Sequence, residues 1–198
     1  DKAAVPGIDR NVLHALKVRV PDLSTQTAIV GLLSTYDDLI ENNRRRMELL
    51  EASARHLYEE WFVRLRFPGH EHTKIVDGVP EGWEISPLEE VAEFRLGKML
   101  DQIKNKGEER PYLANVNVRW GQIELNDLRE MRFEEHEMDA FGLKYGDIVM
   151  CEGGEPGRCA IWKDQLPGMM IQKAIHRIRA RAGVDYAYLY YCLRHLGL

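Results

Sequence analysis

The chain of 198 residues contains only three cysteines, Cys151, Cys159 and Cys192. They are odd in number and lack paired spacing, which excludes a disulfide scaffold and suits a reducing cytoplasm. No run approaches the roughly eighteen apolar residues that a membrane span needs, so no membrane partner is expected. The opening DKAAVPGIDR lacks the charged-then-apolar layout of a signal peptide. The first residue is Asp1 and not Met, which points to a trimmed or partial copy.

Catalytic motifs are also missing. GGEPGR (153–158) lacks the Lys-Ser/Thr of a phosphate-cradling loop, and no strand-GxGxxG-helix unit occurs. There is no Asn/Asp-Pro-Pro-aromatic motif of the kind amino-methyltransferases use to hold an adenine. Asp147 and Glu152 have nuclease-like spacing, but Gly154 stands where a metal-dependent nuclease needs Lys. No Gly-x-Ser-x-Gly elbow appears, and Cys151 and Cys159 have no His partner in the local pattern. The chain reads as non-catalytic, with no cofactor and no metal.

The formal net charge of -5 weighs weakly against nucleic acid, but charge is segregated along the chain. Residues 95–119 carry Arg95, Lys98, Lys104, Lys106, Arg110 and Arg119 against Asp101, Glu108 and Glu109. Residues 153–181 carry Arg158, Lys163, Lys173, Arg177, Arg179 and Arg181 against Glu155 and Asp164. The stretch between is strongly acidic. The overall sign decides little.

Residues 24–66 form the dominant pattern. They hold no Pro and a single Gly, Gly31. Ile29, Leu33, Tyr36, Ile40, Asn43, Met47, Leu50, Ala54, Leu57 and Trp61 follow at alternating steps of four and three. That 3.5-residue period predicts a coiled-coil helix whose seam faces a partner helix. Some forty residues at about 1.5 Å each give a rod of roughly 60 Å. Ser24 or Thr25 is expected to cap it, and Phe67-Pro68-Gly69 to stop it. Asn43 either fixes register at a polar seam position or faces solvent where the seam frays. Arg44, Arg45 and Arg46 read as a solvated face, or as a contact for DNA or a protein partner.

Upstream, residues 1–23 read as a short helix or turn and then a strand alternating Leu16, Val18 and Val20 with Lys17 and Arg19. Residues 68–80 read as a linker. Its His70 and His72 form an H-x-H pair with no further ligands nearby, so the linker reading outweighs a metal site. From 81 to 198 the pattern is mixed: a short helix at 87–94, a Gly97-Lys98 turn and a polar loop (LDQIKNKGEERP). Strands are expected at 111–118 (PYLANVNV), 128–133, 148–151 and 159–162, the last two separated by the glycine turn. KAIHRIRA (173–180) should carry its basic side chains on one strand face. Asp185 should cap a final helix with Tyr186, Leu189, Tyr190 and Leu193 on one side. The fold class is α+β, a globular mixed domain attached to one long coiled-coil-forming helix.

Lys, Arg, Asn and Gln beside glycine turns are the residue types that read DNA. Cations neutralise phosphates, Arg forks onto guanine, and Asn or Gln onto adenine. The candidates are Lys98, Lys104, Asn105, Lys106, Arg110, Asn115, Asn117, Arg119, Arg158, Gln172, Lys173 and Arg177. Gly153, Gly154 and Gly157 would admit a sugar-phosphate backbone closely. For any one charge, the competing explanation is ordinary solvated surface. Trp120 reads as core packing more than as a base contact.

The 24–66 stretch with its flanks, VPDLSTQTAIVGLLSTYDDLIENNRRRMELLEASARHLYEEWFVRLRFPG, resembles the repeated helix of DNA-specificity subunits of type I restriction-modification enzymes. The match lies in the Gln-x-x-Ile start, the Asp-x-x-Ile-x-x-Asn middle and the Leu-Tyr-x-x-Trp-Phe end. Thr25 departs from the usual Glu before Gln26. VPEGWEISPLEEVAEF, PYLANVNVRWGQIEL, LKYGDIVMCEGGEPGRCAIW and YAYLYYCLRHL resemble landmarks of a target-recognition domain. The resemblance implies a non-catalytic subunit that reads half of a bipartite site in double-stranded DNA. It also implies docking of adenine-methyltransferase subunits and, in the full complex, of a restriction and translocase subunit. Lys98, Asn115, Asn117, residues 153–158 and residues 173–177 fall in the matching recognition segments.

Laid on that family, the chain is a half-subunit in a shifted frame. Residues 1–23 close an upstream recognition domain, 24–67 form the helix, 68–80 the linker, and 81–198 a recognition domain incomplete at its C-terminal end. The seam then expects an antiparallel helix from a second copy or from the missing half. An alternative is a truncated specificity subunit acting as a coiled-coil assembly or regulatory protein without DNA readout.

Overall fold

The computed structural model describes residues 9–101 and 103–197. The stretch weighed for a signal peptide and the first eight residues of the expected closing segment lie outside the described residues. The chain divides into two compact units, residues 1–52 and residues 53–198.

In the first unit, Asp9 caps a one-turn helix, α1 (Arg10–His14), by accepting from the amides of Asn11 at 2.7 Å and Val12 at 3.2 Å. The strand expected next is not formed. Leu16, Val18 and Val20 are 62%, 76% and 72% exposed, and no described strand runs beside them to complete a ladder. The long helix α2 (Leu23–Tyr58) then runs for 36 residues, about 54 Å. Its cap is Asp22 and neither Ser24 nor Thr25. The Asp22 carboxylate accepts from the Thr25 amide at 2.8 Å and the Ser24 hydroxyl at 2.6 Å, while its carbonyl takes the first helical bond from Gln26. These bonds hold the Asp22 carboxyl below its usual range. The seam is open: Ile29, Leu33, Tyr36, Ile40, Met47 and Leu50 lie between 48% and 67% exposed. Val30, Leu32 and Leu39 beside them are also more than half exposed.

In the second unit α2 passes into a π-helical turn, Glu59–Val63, in which the Arg64 amide reaches back to the Glu59 carbonyl at 2.8 Å. Leu65 then adopts the left-handed conformation (φ 57°), and the Arg66 amide closes onto the Glu60 carbonyl at 2.7 Å. The helix therefore ends before Phe67-Pro68-Gly69, stopped by its own carbonyl caps. Aromatic rings secure this end. Phe62 meets Tyr188 edge-on at 4.8 Å and Trp83 at 5.6 Å, and Tyr58 lies 5.2 Å from Phe62. Burial, reinforced by Cys192 and Tyr188, pushes the Tyr58 hydroxyl well above its usual range.

The stretch read as a linker is structured. His70–His72 make a 3-10 turn, and β1 (Ile75–Val76) pairs with β2 (Val79–Pro80). Asp77 and Gly78, both at positive φ (52° and 81°), form the two-residue turn that an Asp-Gly pair favours. The helix expected at 87–94 is a single turn, α3 (Leu88–Val91), and Phe94 belongs to β3 (Ala92–Leu96). Strand β4 (Glu108–Leu113) begins inside the expected loop and ends before Ala114. The expected strand 111–118 breaks because the Asn117 side chain accepts from the Ala114 amide at 3.0 Å, bending 115–117 into a 3-10 turn.

The remaining elements are β5 (Val118–Arg119), β6 (Gln122–Ile123), β7 (Arg129–Phe133), α4 (Met138–Phe141), β8 (Ile148–Cys151), β9 (Cys159–Ile161), β10 (Met170–Ile171), β11 (Ile175–Ala180) and α5 (Tyr186–Leu196). One antiparallel sheet has the order β3-β11-β8-β9; a second, β10-β4-β7, joins β10 to β4 in parallel. The class is α+β, as expected. Strand β8 is buried on both faces: Val149 and Cys151 join a core with Leu113, Trp162 and Ile171, while Ile148 and Met150 face α5 through Leu189, Tyr190 and Leu193. Asp185 caps α5 through the Ala187 amide at 2.7 Å, as its position predicted.

Candidate nucleic-acid interface

Three backbone segments converge at one end of β8 and β9. The first is residues 114–120, held by Asn117, whose amide also donates to the Glu124 carbonyl at 3.1 Å. The second is the glycine loop 152–158. The third is 172–174, whose Gln172 amide bonds the Leu113 carbonyl at 3.1 Å and whose Lys173 amide bonds the Lys98 carbonyl at 2.9 Å.

The glycine loop is fastened on both sides. Arg158 donates to the Asn115 carbonyl at 2.8 Å and to the Glu155 carboxylate at 2.9 Å. The other Glu155 oxygen accepts from the Trp120 indole at 2.7 Å. On the opposite flank, the Glu152 amide donates to the Ala174 carbonyl at 2.9 Å. Gly154 (φ 80°) turns the chain where an added Cβ would lie 3.3 Å from the Asn115 side-chain Nδ2. Glycine at 154 thus serves the backbone twist.

The candidate residues fall into distinct settings. Asn115, Arg119, Gly153, Gly154, Gly157, Arg158, Gln172 and Lys173 lie on the converging segments. Arg119 is exposed and forks onto Glu124 at 3.2 Å and 3.1 Å. Lys104, Asn105 and Lys106 lie on another loop, organised by Asp101, which accepts from the amides of Ile103 and Lys104. Asn105 bonds the Met99 carbonyl at 3.1 Å, and Arg110 on β4 pairs with Glu108 at 2.6 Å.

Three candidates are structural in this fold. Arg177 is 2% exposed, with its guanidinium bonded to Glu93 at 2.6 Å and to the carbonyls of Asp139 and Gly142. Burial draws its pKa below the usual range. Asn117 is 5% exposed. Lys98 donates to the Arg132 carbonyl at 3.0 Å, pairs with Glu137 and lies 5.1 Å over the Phe133 ring. The alternation along β11 does set Arg177 and Arg179 on one face, but each cation meets a carboxylate there.

Two residues carry more than their sequence context signalled. Trp120, read as core, is 44% exposed and lies under the Arg194 guanidinium at 5.3 Å. Glu155 joins Trp120 to Arg158 across the converging segments; its i,i+3 spacing to Arg158 is the signal the sequence offers.

The nuclease-like pair dissolves. Asp147 is 1% exposed and committed to Arg179 and the Lys144 amide. Burial raises the Cys151 thiol pKa against the opposing pull of Arg158, the reverse of what an activated thiolate needs. His70 bonds the Phe67 carbonyl at 2.8 Å, consistent with a structural histidine. Among the described residues, Glu134, His136 and Glu137 bring ligand atoms within 4.8 Å, but Glu137 is held by Lys98. No described helix is long and apolar enough to cross a membrane.

The second unit is an α+β domain, and the long helix leaves its coiled-coil-type seam open. In sequence the chain is similar to specificity subunits of type I restriction enzymes. It is 26% identical to the MjaVIII specificity subunit of Methanocaldococcus jannaschii over 198 positions, covering 96% of the chain and 46% of that protein. It is 26% identical to the MjaIX specificity subunit of the same organism over 158 positions, covering 76% of the chain and 36% of that protein. The chain thus spans less than half the length of these relatives. Among solved structures it is similar to the HsdS subunit from Thermoanaerobacter tengcongensis, with TM-score 0.45, 16% identity, 97% of this chain and 47% of that one covered. A chain from work on complex assembly and conformational transition of the type I R-M system aligns with TM-score 0.43, 15% identity, and 99% and 47% coverage. No family model matches the chain.

Proposed function

We propose that this chain is a non-catalytic DNA-recognition module of a cytoplasmic type I restriction-modification complex. Segments 114–120, 152–158 and 172–174 read one half of a bipartite site in double-stranded DNA. The long helix spaces the half-sites and docks methyltransferase subunits, and the restriction and translocase subunit joins the full assembly. The observation that carries this reading is the fastening of three loops by Arg158, Glu155 and the Glu152 amide in a relative of specificity subunits. Fixed loops suit base readout, because the entropy of ordering them is already spent before DNA arrives. Arg119, Arg110, Lys104 and Lys106 supply surface charge for phosphates.

Filter binding across a salt series tests it. Arg119→Gln and Arg110→Gln should each weaken binding to the target and reduce the salt slope by about one. Unchanged slopes overturn the assignment.

The exposed seam favours a second reading, a coiled-coil assembly or regulatory protein without DNA readout. It requires helix-partner or methyltransferase binding with no preference among DNA sequences, which the same assay distinguishes.

A further inference from the structure

A pocket of about 570 Å³ opens where three elements of the second unit meet. The end of α2 contributes Arg55 and Tyr58, the β5–β6 turn contributes Trp120, and α5 contributes Tyr191, Arg194 and His195. Its size lies within the roughly 300–1,000 Å³ of small-molecule sites.

The chemistry of the lining is selective. Three aromatic rings come from three separate elements, so the site has flat apolar surface on more than one side. Two arginines and a histidine stand against a single lining carboxylate, Glu59, which already lies 3.7 Å from His56. The Arg194 guanidinium carbon lies 5.3 Å from the Trp120 ring centre and 5.5 Å from that of Tyr190, and the guanidinium donates to the Tyr190 hydroxyl at 3.0 Å. Those contacts hold the guanidinium beside the two rings. Trp120 is fixed in turn by its bond to Glu155, yet keeps 44% of its surface open.

We infer that this pocket binds a phosphorylated nucleotide, with the base on the aromatic surfaces and the phosphate on Arg55 and Arg194. A purely apolar ligand would desolvate the arginines without return. A bare anion would leave the rings unused. A nucleotide engages both, through base–aromatic stacking and charge-assisted hydrogen bonds. The nucleotide arrives either free or as part of a bound strand. This site goes beyond the proposed DNA readout, and free nucleotide probes it with no target duplex present.

The test is equilibrium dialysis of the full chain with adenosine 5′-monophosphate, adenosine, inorganic phosphate and a short single-stranded oligonucleotide. Saturable binding of the monophosphate, weakened about tenfold by Arg55→Gln and by Arg194→Gln, is expected. Arg55 is exposed, so Arg55→Gln should fold normally even if Arg194→Gln does not. Binding of the oligonucleotide alone, with the same sensitivity to Arg55→Gln, supports the site with a strand as its source. Adenosine binding as tightly as the monophosphate, binding indifferent to Arg55→Gln, or no saturable binding by either nucleotide probe overturns it. Failure here leaves the salt-slope result on target DNA unaffected.

Discussion

Arg179 forks onto Asp147, with Nε 2.7 Å from Oδ1 and Nη2 2.6 Å from Oδ2. The carboxylate is 1% exposed, and the bond to it raises the Arg179 pKa against the opposing effect of burial. The pair ties β11 to the turn before β8, and the Lys144 amide adds a third bond at 2.7 Å.

Asp147→Ala should destabilise the domain by about 3 kcal/mol, because it strands a largely buried guanidinium as well as an amide. Urea denaturation gives the value. A loss below about 1 kcal/mol would mean that the pair is dispensable.

Glu137 gives a pH signature. Burial raises its pKa, but the Lys98 ammonium and the Glu134 amide outweigh burial and hold the carboxyl below its ordinary 4.5. A depressed folded pKa contributes stability that is present above the unfolded value and is lost as pH falls through the folded one. Wild type should therefore lose stability relative to Glu137→Gln as pH falls below the ordinary carboxylate range and through the depressed folded pKa. Parallel stability curves for the two proteins would refute the link.

Gly97 has ordinary φ, so backbone strain is not its reason for being glycine. An added Cβ would lie 2.3 Å from the Gln172 carbonyl oxygen and 2.4 Å from its carbon, both backbone atoms that cannot swing aside. Gly97→Ala should cost about 2 kcal/mol and shift the amide resonances of 172–174. Thermal melts and NMR spectra would reveal either effect, and an unperturbed spectrum counts against it.

Arg158 is a fastener more than a surface charge, with 15% of its side chain exposed. Arg158→Met should speed hydrogen exchange across 152–158 while the core strands keep their protection. Equal exchange in that loop would show that it needs no such pin.

The open seam predicts association. Sedimentation should give a mass rising with concentration towards twice 22.9 kDa, and Leu33→Asp or Leu50→Asp should return it towards one copy. A single copy at every concentration would locate the seam's partner in another chain.

Legibility followed the range of the forces involved. The rod was readable because a 3.5-residue period is local and repeats; β8 and α5 were readable because a short apolar run and an Asp cap need no distant partner. Trp120 and Arg177 were misread because burial depends on what comes from elsewhere: Glu93 lies 84 positions from Arg177. Residues 16–20 have strand alternation but, among the described residues, no strand to pair with, and alternation alone makes no sheet. Asp77-Gly78 was readable and passed over, because polar turn residues around a two-residue strand resemble a linker. On the interface, the residue types were visible, but only the geometry separates Arg119 at the surface from Asn117 and Lys98 in the framework.

The π turn at Glu59–Val63 has a consequence for phase. One residue more per turn advances the chain without advancing the seam, so Trp61 ends the heptad beat while Tyr58 and Phe62 fall in step with α5. The helix therefore keeps two rhythms, one along its open seam and one for its own domain. Deleting a single residue there would force both onto one clock, and the aromatic contacts or the seam would have to miss a beat.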